Sequence, residues 1–265
     1  MDLELSGKTA IVTGGSRGIG KAIARELGRE GGDVALVSRG REALDSAARE
    51  LTQETGRRFI PIQADTGNEE SIQAMVQQAV AELGHLDILV NSAARVGGGA
   101  APRLAEITEE YFWEDMNVKV LGYLRCAKEA APHMIRQGWG RIINISGLAA
   151  RQSGSVVGSI RNVSVAALSK NLADELGPHG INVTVVHPGL TRTERTADIV
   201  EELASREGIS TEEAEGRMAQ GISLRRMIDA REIAYVVTFL ASPKSVAING
   251  DAVAVAGGSG RAIYY

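Results

Sequence analysis

Short apolar runs alternate along the chain with longer segments in which apolar residues recur every three or four positions. Runs of the first kind predict buried strands, and segments of the second kind predict amphipathic helices. The predicted strands are residues 9–12, 33–39, 58–65, 86–91, 141–146, 181–186 and 251–255. Helices are predicted after Thr13–Gly20, around 41–55, 69–83, 109–137 with an interruption near Pro132, up to Gly177, over the charged stretch 196–222, and over 230–241.

This alternation is typical of βαβ units, which build a parallel sheet covered by helices. No linker, repeat or low-complexity tract divides residues 1–265. The sequence therefore predicts an α/β fold, a single doubly wound domain whose seven-stranded, mostly parallel sheet carries helices on both faces. Ligands of such sheets bind outside the carboxyl ends of the strands.

A glycine-rich turn, Thr13–Gly20, joins the first predicted strand to the first helix. Glycines let backbone N–H groups approach a phosphate closely, and the helix end adds a partial positive charge. A glycine pattern alone is weak evidence, because an ordinary turn looks the same. Polar or glycine residues, however, follow the strands repeatedly: Gly14, Arg39, Asp65, Asn91, Ser146 and His187-Pro188-Gly189.

The end of the second strand indicates which dinucleotide would bind. An acidic residue there favours NAD, whereas arginine accepts the 2′-phosphate of NADP. The sequence Ser38-Arg39-Gly40-Arg41 has no acid, and Arg17 lies within the glycine turn. NADP is therefore expected over NAD, although Arg39 and Arg41 would also suit the solvated start of a helix.

Composition excludes several classes of function. The net charge of −4 gives no basic footprint for nucleic acid, and no apolar run is long enough for a membrane helix. The single cysteine, Cys126, excludes an internal disulfide, and no metal-ligand spacing is present. Without an evident signal peptide, the expected location is cytoplasmic.

Taken together, these motifs resemble the short-chain dehydrogenase/reductase family, which has a Rossmann fold, and the likeness covers nearly the whole chain. Thr13–Gly20 is similar to the family's cofactor turn, Asn91-Ser92-Ala93-Ala94 to its Asn-Asn-Ala-Gly, and Pro188-Gly189 with Thr191 and Thr193 to its nicotinamide-side loop. The resemblance implies cofactor contacts from Gly14, Ser16, Arg17, Gly18, Ile19, Gly20, Ser38, Arg39, Asp65, Thr66, Asn91, Ala93, Asn162, Pro188, Gly189, Thr191 and Thr193.

The resemblance also implies catalytic roles for Ser146 and for the helix asparagine Asn117. The family's Tyr-x-x-x-Lys pair, however, aligns with Gly158 and Asn162, neither of which can perform that chemistry. Tyrosines stand only at 111, 123, 235, 264 and 265. Tyr123 and Tyr235 are expected in the core, and Lys119, Lys128 and Lys170 on solvated helix faces.

Other groups are candidates to replace the missing acid. Ser146 can donate a hydrogen bond, Arg161 can polarise a carbonyl but keeps its proton, and His187 can titrate at a strand end. Packing beneath the loop is the alternative reading of His187.

Three functions stay open at this point. The first is an NADP-dependent oxidoreductase that acts on a small alcohol or carbonyl compound with an atypical active site. The second is a cofactor-binding relative without dehydrogenase activity, in a regulatory or scaffold role. The third is dehydration or isomerisation through Ser146 or His187. The family further implies a substrate lid at about 190–225, and a homodimer or homotetramer formed through the helices after strands four and five.

Overall fold

A computed structural model describes residues 1–94 and 101–260. Its main sheet has seven strands, all parallel, in the order β3-β2-β1-β4-β5-β6-β9. The strands are β1 (Thr9–Thr13), β2 (Asp33–Ser38), β3 (Phe59–Gln63), β4 (Ile88–Asn91), β5 (Gly140–Ile145), β6 (Ile181–Pro188) and β9 (Ala252–Val255). The predicted seven-stranded α/β fold is confirmed.

Helices connect the strands and cover both faces of the sheet. They are α1 (Gly18–Arg29), α2 (Arg41–Thr55), α3 (Glu69–Leu83), α4 (Glu109–Met116), α5 (Gly122–Gln137), α6 (Val156–Leu176), α7 (Glu194–Glu207), α8 (Thr211–Met218) and α9 (Ala230–Leu240). Buried residues of α1, α2 and α9 form one core cluster, and those of α3, α5 and α6 form the other.

The alternation of side chains along each strand produces these two cores. In β1, Ala10 and Val12 belong to the cluster under α1, whereas Ile11 between them belongs to the cluster under α3. Successive strand residues point to opposite faces, so a strand covered on both sides is apolar throughout. This explains why the strands read as continuous apolar runs.

The strand order reverses between β1 and β4. The chain proceeds outward from β1 to β3 on one side and from β4 to β9 on the other. The loops that follow β1 and β4 therefore diverge and leave a crevice at the carboxyl edge, which is where open α/β sheets bind ligands.

The long helix predicted over 109–137 breaks at a different place from the one expected. Pro132 lies inside a continuous α5, on its exposed side, where water can take the hydrogen bond that proline cannot supply. The irregularity is instead a π-helical turn at Asn117–Leu121, between α4 and α5. Such turns occur frequently at functional sites.

The segment after β6 contains an element too short for the sequence pattern to indicate. The two-residue strands β7 (Thr191–Arg192) and β8 (Ile228–Asp229) pair in parallel and bracket α7 and α8. Arg192 forms ion pairs with Glu215 and Asp229, and so ties both ends of this segment together. Of the helices in the described residues, none has the length and apolar content needed to span a bilayer.

Candidate functional site

The glycine turn packs too tightly for side chains. A Cβ atom at Gly20 would lie 2.3 Å from the carbonyl oxygen of Gly14, and Gly14 and Gly18 have φ values of +69° and +57°. Glycine tolerates both requirements. The turn therefore brings the start of α1 directly against the end of β1, with backbone N–H groups facing outward.

The loop after β4 is fastened to the same turn. The Thr13 hydroxyl oxygen accepts hydrogen bonds from the N–H groups of Ser92 (3.0 Å) and Ala93 (3.1 Å). A Cβ at Gly14 would approach the Ser92 carbonyl to 3.0 Å. Both loops at the strand reversal are thus held in one rigid arrangement.

At the end of β2, Arg39 and Arg41, the two arginines considered as ligands of a 2′-phosphate, have different surroundings. Arg41 donates to Asp45 on α2, four residues along, as expected for a solvated helix start. Arg39 and Arg17 are exposed, and neither pairs with a carboxylate within residues 1–94 and 101–260. The Ser38 hydroxyl beside them is buried and lacks a hydrogen-bond partner in the same part of the chain.

The residues after β3 hold the neighbouring loops. The Asp65 carboxylate accepts from the Gly67 N–H at 2.9 Å, and the Thr66 hydroxyl donates to the Val118 carbonyl at 3.3 Å. Thr66 is buried against the π-turn. Its side chain therefore supports the wall of the crevice rather than facing into it.

Buried amides link the ends of β4 and β5. Asn91 Nδ2 donates to Asn144 Oδ1 at 2.9 Å, and Asn144 Nδ2 donates to Ser169 Oγ on α6 at the same distance. Asn91 Oδ1 is buried with no partner among the described residues. The network fixes α6 against the sheet, and it leaves Asn91 Oδ1, at the end of β4, as an acceptor that a ligand can use.

Ser146 and Asn162, which the resemblance places in the site, lie in direct contact. The Ser146 hydroxyl donates to the backbone oxygen of Asn162 (3.0 Å) and approaches its Oδ1 (3.2 Å). Gly147 packs closely beside them, since a Cβ there would lie 3.3 Å from Asn162 Nδ2. At Gly158, a Cβ would lie 2.7 Å from the Ser155 hydroxyl that caps α6.

The environment of Lys119 differs from the one predicted. The sequence placed this residue on a solvated helix face, and that prediction is wrong. It is only 5% exposed, and its ammonium donates to the Ser146 carbonyl at 2.9 Å and to Asn162 Oδ1 at 3.1 Å. Burial, followed by repulsion from Arg161, lowers the pKa of Lys119 to about 7, while Asp115 opposes the shift. A titratable cation therefore lies beneath the two predicted site residues.

An ion pair between helices flanks this lysine. Arg161 Nη1 on α6 contacts both carboxylate oxygens of Asp115 on α4 at 2.7 Å. Asp115 is buried, so the pair is shielded from solvent. Arg161 is thus held by a carboxylate rather than free to polarise a substrate.

His187 and Tyr123 are both buried and neutral near pH 7. Burial, with the positive charges of Arg151 and Lys119, lowers the pKa of His187 to about 4. Burial raises the pKa of Tyr123, whose hydroxyl donates to the Ile145 carbonyl. His187 is therefore the packed strand-end residue and Tyr123 is core as predicted, whereas the core prediction for Tyr235 is wrong, because it is 48% exposed.

Asn117 directs its side chain away from Ser146. Its Nδ2 donates to the Gly67 carbonyl at 3.1 Å, and its Oδ1 accepts from Arg125 at 2.8 Å. These contacts therefore do not favour a direct chemical role for the Asn117 amide. The residue anchors the π-turn, and the π-turn carries Lys119.

The loop after β6 reaches back to the glycine turn. Gly189 is pressed against Ala256, and the Thr191 hydroxyl donates to the Gly189 carbonyl. Thr193 caps α7, and the next residue, Glu194, accepts a hydrogen bond from the Gly18 N–H at 3.1 Å. A carboxylate therefore lies at the N-terminus of α1, as expected where backbone donors favour an anion.

These features fit a dinucleotide at the carboxyl edge of the sheet. The glycine turn leaves no Cβ in the way, and the end of α1 already holds an anionic group. Buried polar atoms of Ser38 and Asn91 lack partners in the described chain. Unpaired buried groups are costly, so a ligand that supplies their hydrogen bonds would be stabilised there.

Sequence reasoning missed the burial of Lys119 and of Asp115, although a signal was present. Asp115, Lys119 and Tyr123 follow one another at intervals of four, which places them on one helix face. Tyr123 was expected in the core. Lys119 and Asp115 lie one and two turns before Tyr123 on the same face, so that face is expected to be buried along its length. The structure buries all three residues.

Comparisons with known proteins agree with the fold and the crevice. The family model described as enoyl-(acyl carrier protein) reductase, adh_short_C2, matches residues 14–259. The chain is 30% identical over 262 residues to the NADPH-dependent reductase BacG of Bacillus subtilis, covering 98% of this chain and 100% of the relative. It is 33% identical to the 3-oxoacyl-(acyl-carrier-protein) reductase FabG of Staphylococcus aureus, covering 95% and 97%.

A solved structure is also closely similar. The L-sorbose reductase of Gluconobacter frateurii, crystallised with NADPH and L-sorbose, aligns with a TM-score of 0.92 and 30% identity over 98% of each chain. These matches extend over nearly the full sequence. The chain belongs to the short-chain dehydrogenase/reductase family of NAD(P)-dependent enzymes.

Proposed function

We propose that the protein is an NADP-dependent oxidoreductase of a small alcohol or carbonyl compound, with an atypical active site that lacks the family's Tyr-x-x-x-Lys pair. The observation that carries this proposal is the open crevice at the strand reversal. There, the glycine turn, the end of β2 and Ser146 share one edge of the sheet. Gly158 and Asn162 at the pair's positions make the site atypical.

The residues of this edge have distinct proposed roles. The N-terminus of α1, through Ser16 to Gly20, binds the diphosphate, and Asp65 lies towards the adenine. Asn91, Ala93 and Asn162 line the ribose and nicotinamide side. The loop Pro188–Thr193 closes that side, and the segment about 190–225 forms a lid on the single domain 1–265.

When bound, the nicotinamide supplies or accepts the hydride. Ser146 lies where its hydroxyl can turn from Asn162 and donate to the carbonyl oxygen of a substrate. A serine hydroxyl stabilises developing charge but is a poor acid, so turnover is expected to be slow. Loss of a general acid typically costs about 10²- to 10⁴-fold in rate. Asn117 contributes by holding the π-turn.

The preference for NADP over NAD is supported by the charges at the end of β2. Arg39 and Arg17 are exposed cations without carboxylate partners in the described residues, and the Ser38 hydroxyl is unsatisfied. A phosphate accepts hydrogen bonds from both guanidinium and hydroxyl groups. The sequence Ser38-Arg39-Gly40-Arg41 at the end of β2 contains no acid to repel the phosphate.

Fluorescence titration with NADPH and NADH tests the proposal. Arg39→Ala is expected to weaken NADPH binding about tenfold, the loss of one charge-assisted contact, and to leave NADH binding unchanged. Arg41→Ala is the matched control, because Arg41 already pairs with Asp45. Absence of binding of either cofactor to the unmodified protein would overturn the proposal.

A second candidate is a cofactor-binding protein without dehydrogenase activity, and it is favoured by Gly158 and Asn162. The double variant Gly158→Tyr with Asn162→Lys separates the two functions. Ser155 must rotate to admit the new side chain, since its hydroxyl lies 2.7 Å from the Cβ position. A gain in NADPH oxidation with carbonyl substrates supports the enzyme, whereas binding without any gain supports the second candidate.

Assembly into a homodimer or homotetramer is part of the proposal. Leu124 on α5 and the stripe Val156, Ile160 and Val163 on α6 are exposed apolar residues. They lie on the two helices through which the family associates. The cytoplasmic location stays a prediction of the sequence.

A further inference from the structure

We infer that Lys119 is a positioning residue that replaces, from the protein interior, the positive charge lost with the family's lysine. It fixes the Asn162 amide and the backbone of Ser146, the two residues proposed to contact the ligand. The inference rests on the proposed function, because the ligand is the same nicotinamide nucleotide and its substrate.

The orientation of the Asn162 amide is the first step of the argument. Its Oδ1 lies 3.1 Å from the Lys119 ammonium and 3.2 Å from the Ser146 hydroxyl. Because an ammonium has donors only, the atom that faces it must be the amide oxygen. The amide nitrogen therefore lies on the opposite side, against Gly147, where a Cβ would approach it to 3.3 Å and only glycine leaves it room to donate to a ligand.

The second contact of Lys119 fixes the backbone of Ser146. The ammonium donates to the Ser146 carbonyl at 2.9 Å, at the end of β5. One cation thus holds both residues on which the proposed chemistry depends. Its charge lies beside Asn162, at the position where the family's lysine contacts the nicotinamide ribose.

Two charged groups set the titration of Lys119. Arg161 on α6 favours the neutral amine, and Asp115 on α4 favours the ammonium. They contact each other at 2.7 Å, so removal of either leaves the opposite charge acting alone on Lys119.

The other ionisable groups that face this cluster keep their charge state near neutral pH. His187 on β6, which Arg151 also faces, has a pKa of about 4 and is neutral. Tyr123 on α5 has a raised pKa and is also neutral. Within the described cluster, Lys119 is therefore the group that changes charge between pH 6 and 9.

Nucleotide affinity should accordingly fall as the pH rises through about 7, the pKa of Lys119. We expect about a tenfold loss in NADPH affinity between pH 6 and 9, the effect of one charge several ångströms away in a partly shielded site. Lys119→Met should bind NADPH with the weaker affinity at every pH. Lys128→Met, a change of an exposed lysine nine residues along the same helical segment, should behave as the unmodified protein.

A pair of opposite shifts distinguishes charge from structural damage. Arg161→Gln should move the inflection of NADPH affinity to higher pH, because the repelling charge is lost and Asp115 is freed. Asp115→Asn should move it to lower pH. A disturbance of packing has no reason to shift the two inflections in opposite directions, so this pair also decides the question if Lys119→Met fails to fold.

The deciding measurement is NADPH fluorescence titration from pH 6 to 9 on the full chain. An inflection that Lys119→Met abolishes, and that the other two variants move apart, supports the inference. NADPH binding with no inflection, or with an inflection that persists in Lys119→Met, overturns it and leaves the proposed function standing. If the unmodified protein binds neither NADPH nor NADH at any pH, the proposed function and the inference both fail.

Discussion

Lys119 is the residue whose environment departs most from what its side chain prefers. A lysine is almost never fully buried unless it is paired. Here the ammonium has two neutral oxygen acceptors, and the nearest carboxylate belongs to Asp115, which is already bound to Arg161. Desolvation is therefore only partly offset, and the pKa falls to about 7 from an ordinary value of 10.5.

The lowered pKa makes folding stability depend on pH. Between pH 7 and 10.5 the unfolded chain binds this proton more strongly than the folded protein, so stability rises with pH. The contribution of Lys119 is at most about 1.4 kcal/mol per pH unit in that window, and it is constant below pH 7. Lys119→Met should remove this part of the slope in urea unfolding measured from pH 6 to 9.

Lys128→Met serves as the control for that experiment, because Lys128 is exposed and pairs with Glu69 at the surface. Its stability curve should parallel that of the unmodified protein. If the curve of Lys119→Met runs parallel as well, the lysine does not titrate as the structure indicates.

At the scale of elements, the sequence predicted the strands and helices that carry a regular apolar pattern, and it missed the short elements that carry none. The inner strands β1, β2, β4, β5 and β6 were found because both their faces are buried and their runs of apolar residues are nearly continuous. The turn at Gly14 was found because only glycine tolerates its backbone and contacts. The two-residue strands β7 and β8 are too short to show a periodic pattern, and their pairing depends on residues 37 positions apart.

The candidate site likewise has a part that the sequence predicted and a part that it missed. The edge of the sheet was predictable, since parallel strands place all their carboxyl ends together. The burial of Lys119 was missed, although its spacing of four from Tyr123 indicated it, because a lysine on a helix is normally solvated. The π-turn at Asn117–Leu121 that carries Lys119 has no such signal in the sequence. The break was expected at Pro132, whose side chain faces solvent and disturbs nothing inside.

The contact between α7 and α1 yields a prediction for cofactor binding. The Glu194 carboxylate accepts from the Gly18 N–H, at the place proposed for the diphosphate. A bound diphosphate must displace this like charge, which is worth about 0.3–1 kcal/mol at a helix N-terminus. Glu194→Gln should therefore bind NADPH about 2- to 5-fold more tightly in fluorescence titration.

Glu201→Gln is the matched control, because Glu201 is an exposed residue of the same helix. It should leave the affinity unchanged. Weaker binding by Glu194→Gln would mean that the carboxylate assists the nucleotide instead of competing with it.

At the scale of the whole molecule, the two edges of the sheet differ in character. At the amino edge, the Asp87 carboxylate is surrounded by Lys8, His85 and the Thr9 N–H. Nearby, the buried Arg141 lies over the Trp139 ring. These groups satisfy one another. At the carboxyl edge, Ser38 and Asn91 keep unpaired polar atoms within the described chain. The Asp87 cluster therefore stabilises the fold, whereas the unpaired atoms of the carboxyl edge lie where the proposed ligand binds.

The proposed assembly predicts which surface matters for association. Ile160→Asp places a charge in the middle of the exposed apolar stripe of α6, so it should yield monomers in size-exclusion chromatography with light scattering. Val246→Asp, at an exposed apolar residue outside α5 and α6, is the control. A monomeric unmodified protein, or an unchanged mass for Ile160→Asp, would contradict the proposed interface.

Two faces of helix α6 have proposed roles. Its outer stripe is the surface proposed for association, whereas Asn162 and Arg161 on the same helical turns hold Lys119 and Asp115. Separation of the subunits would free the helix to shift, and the contacts of Asn162 would shift with it. Specific activity per chain should then fall when the enzyme is diluted below its dissociation constant, and it should recover on concentration.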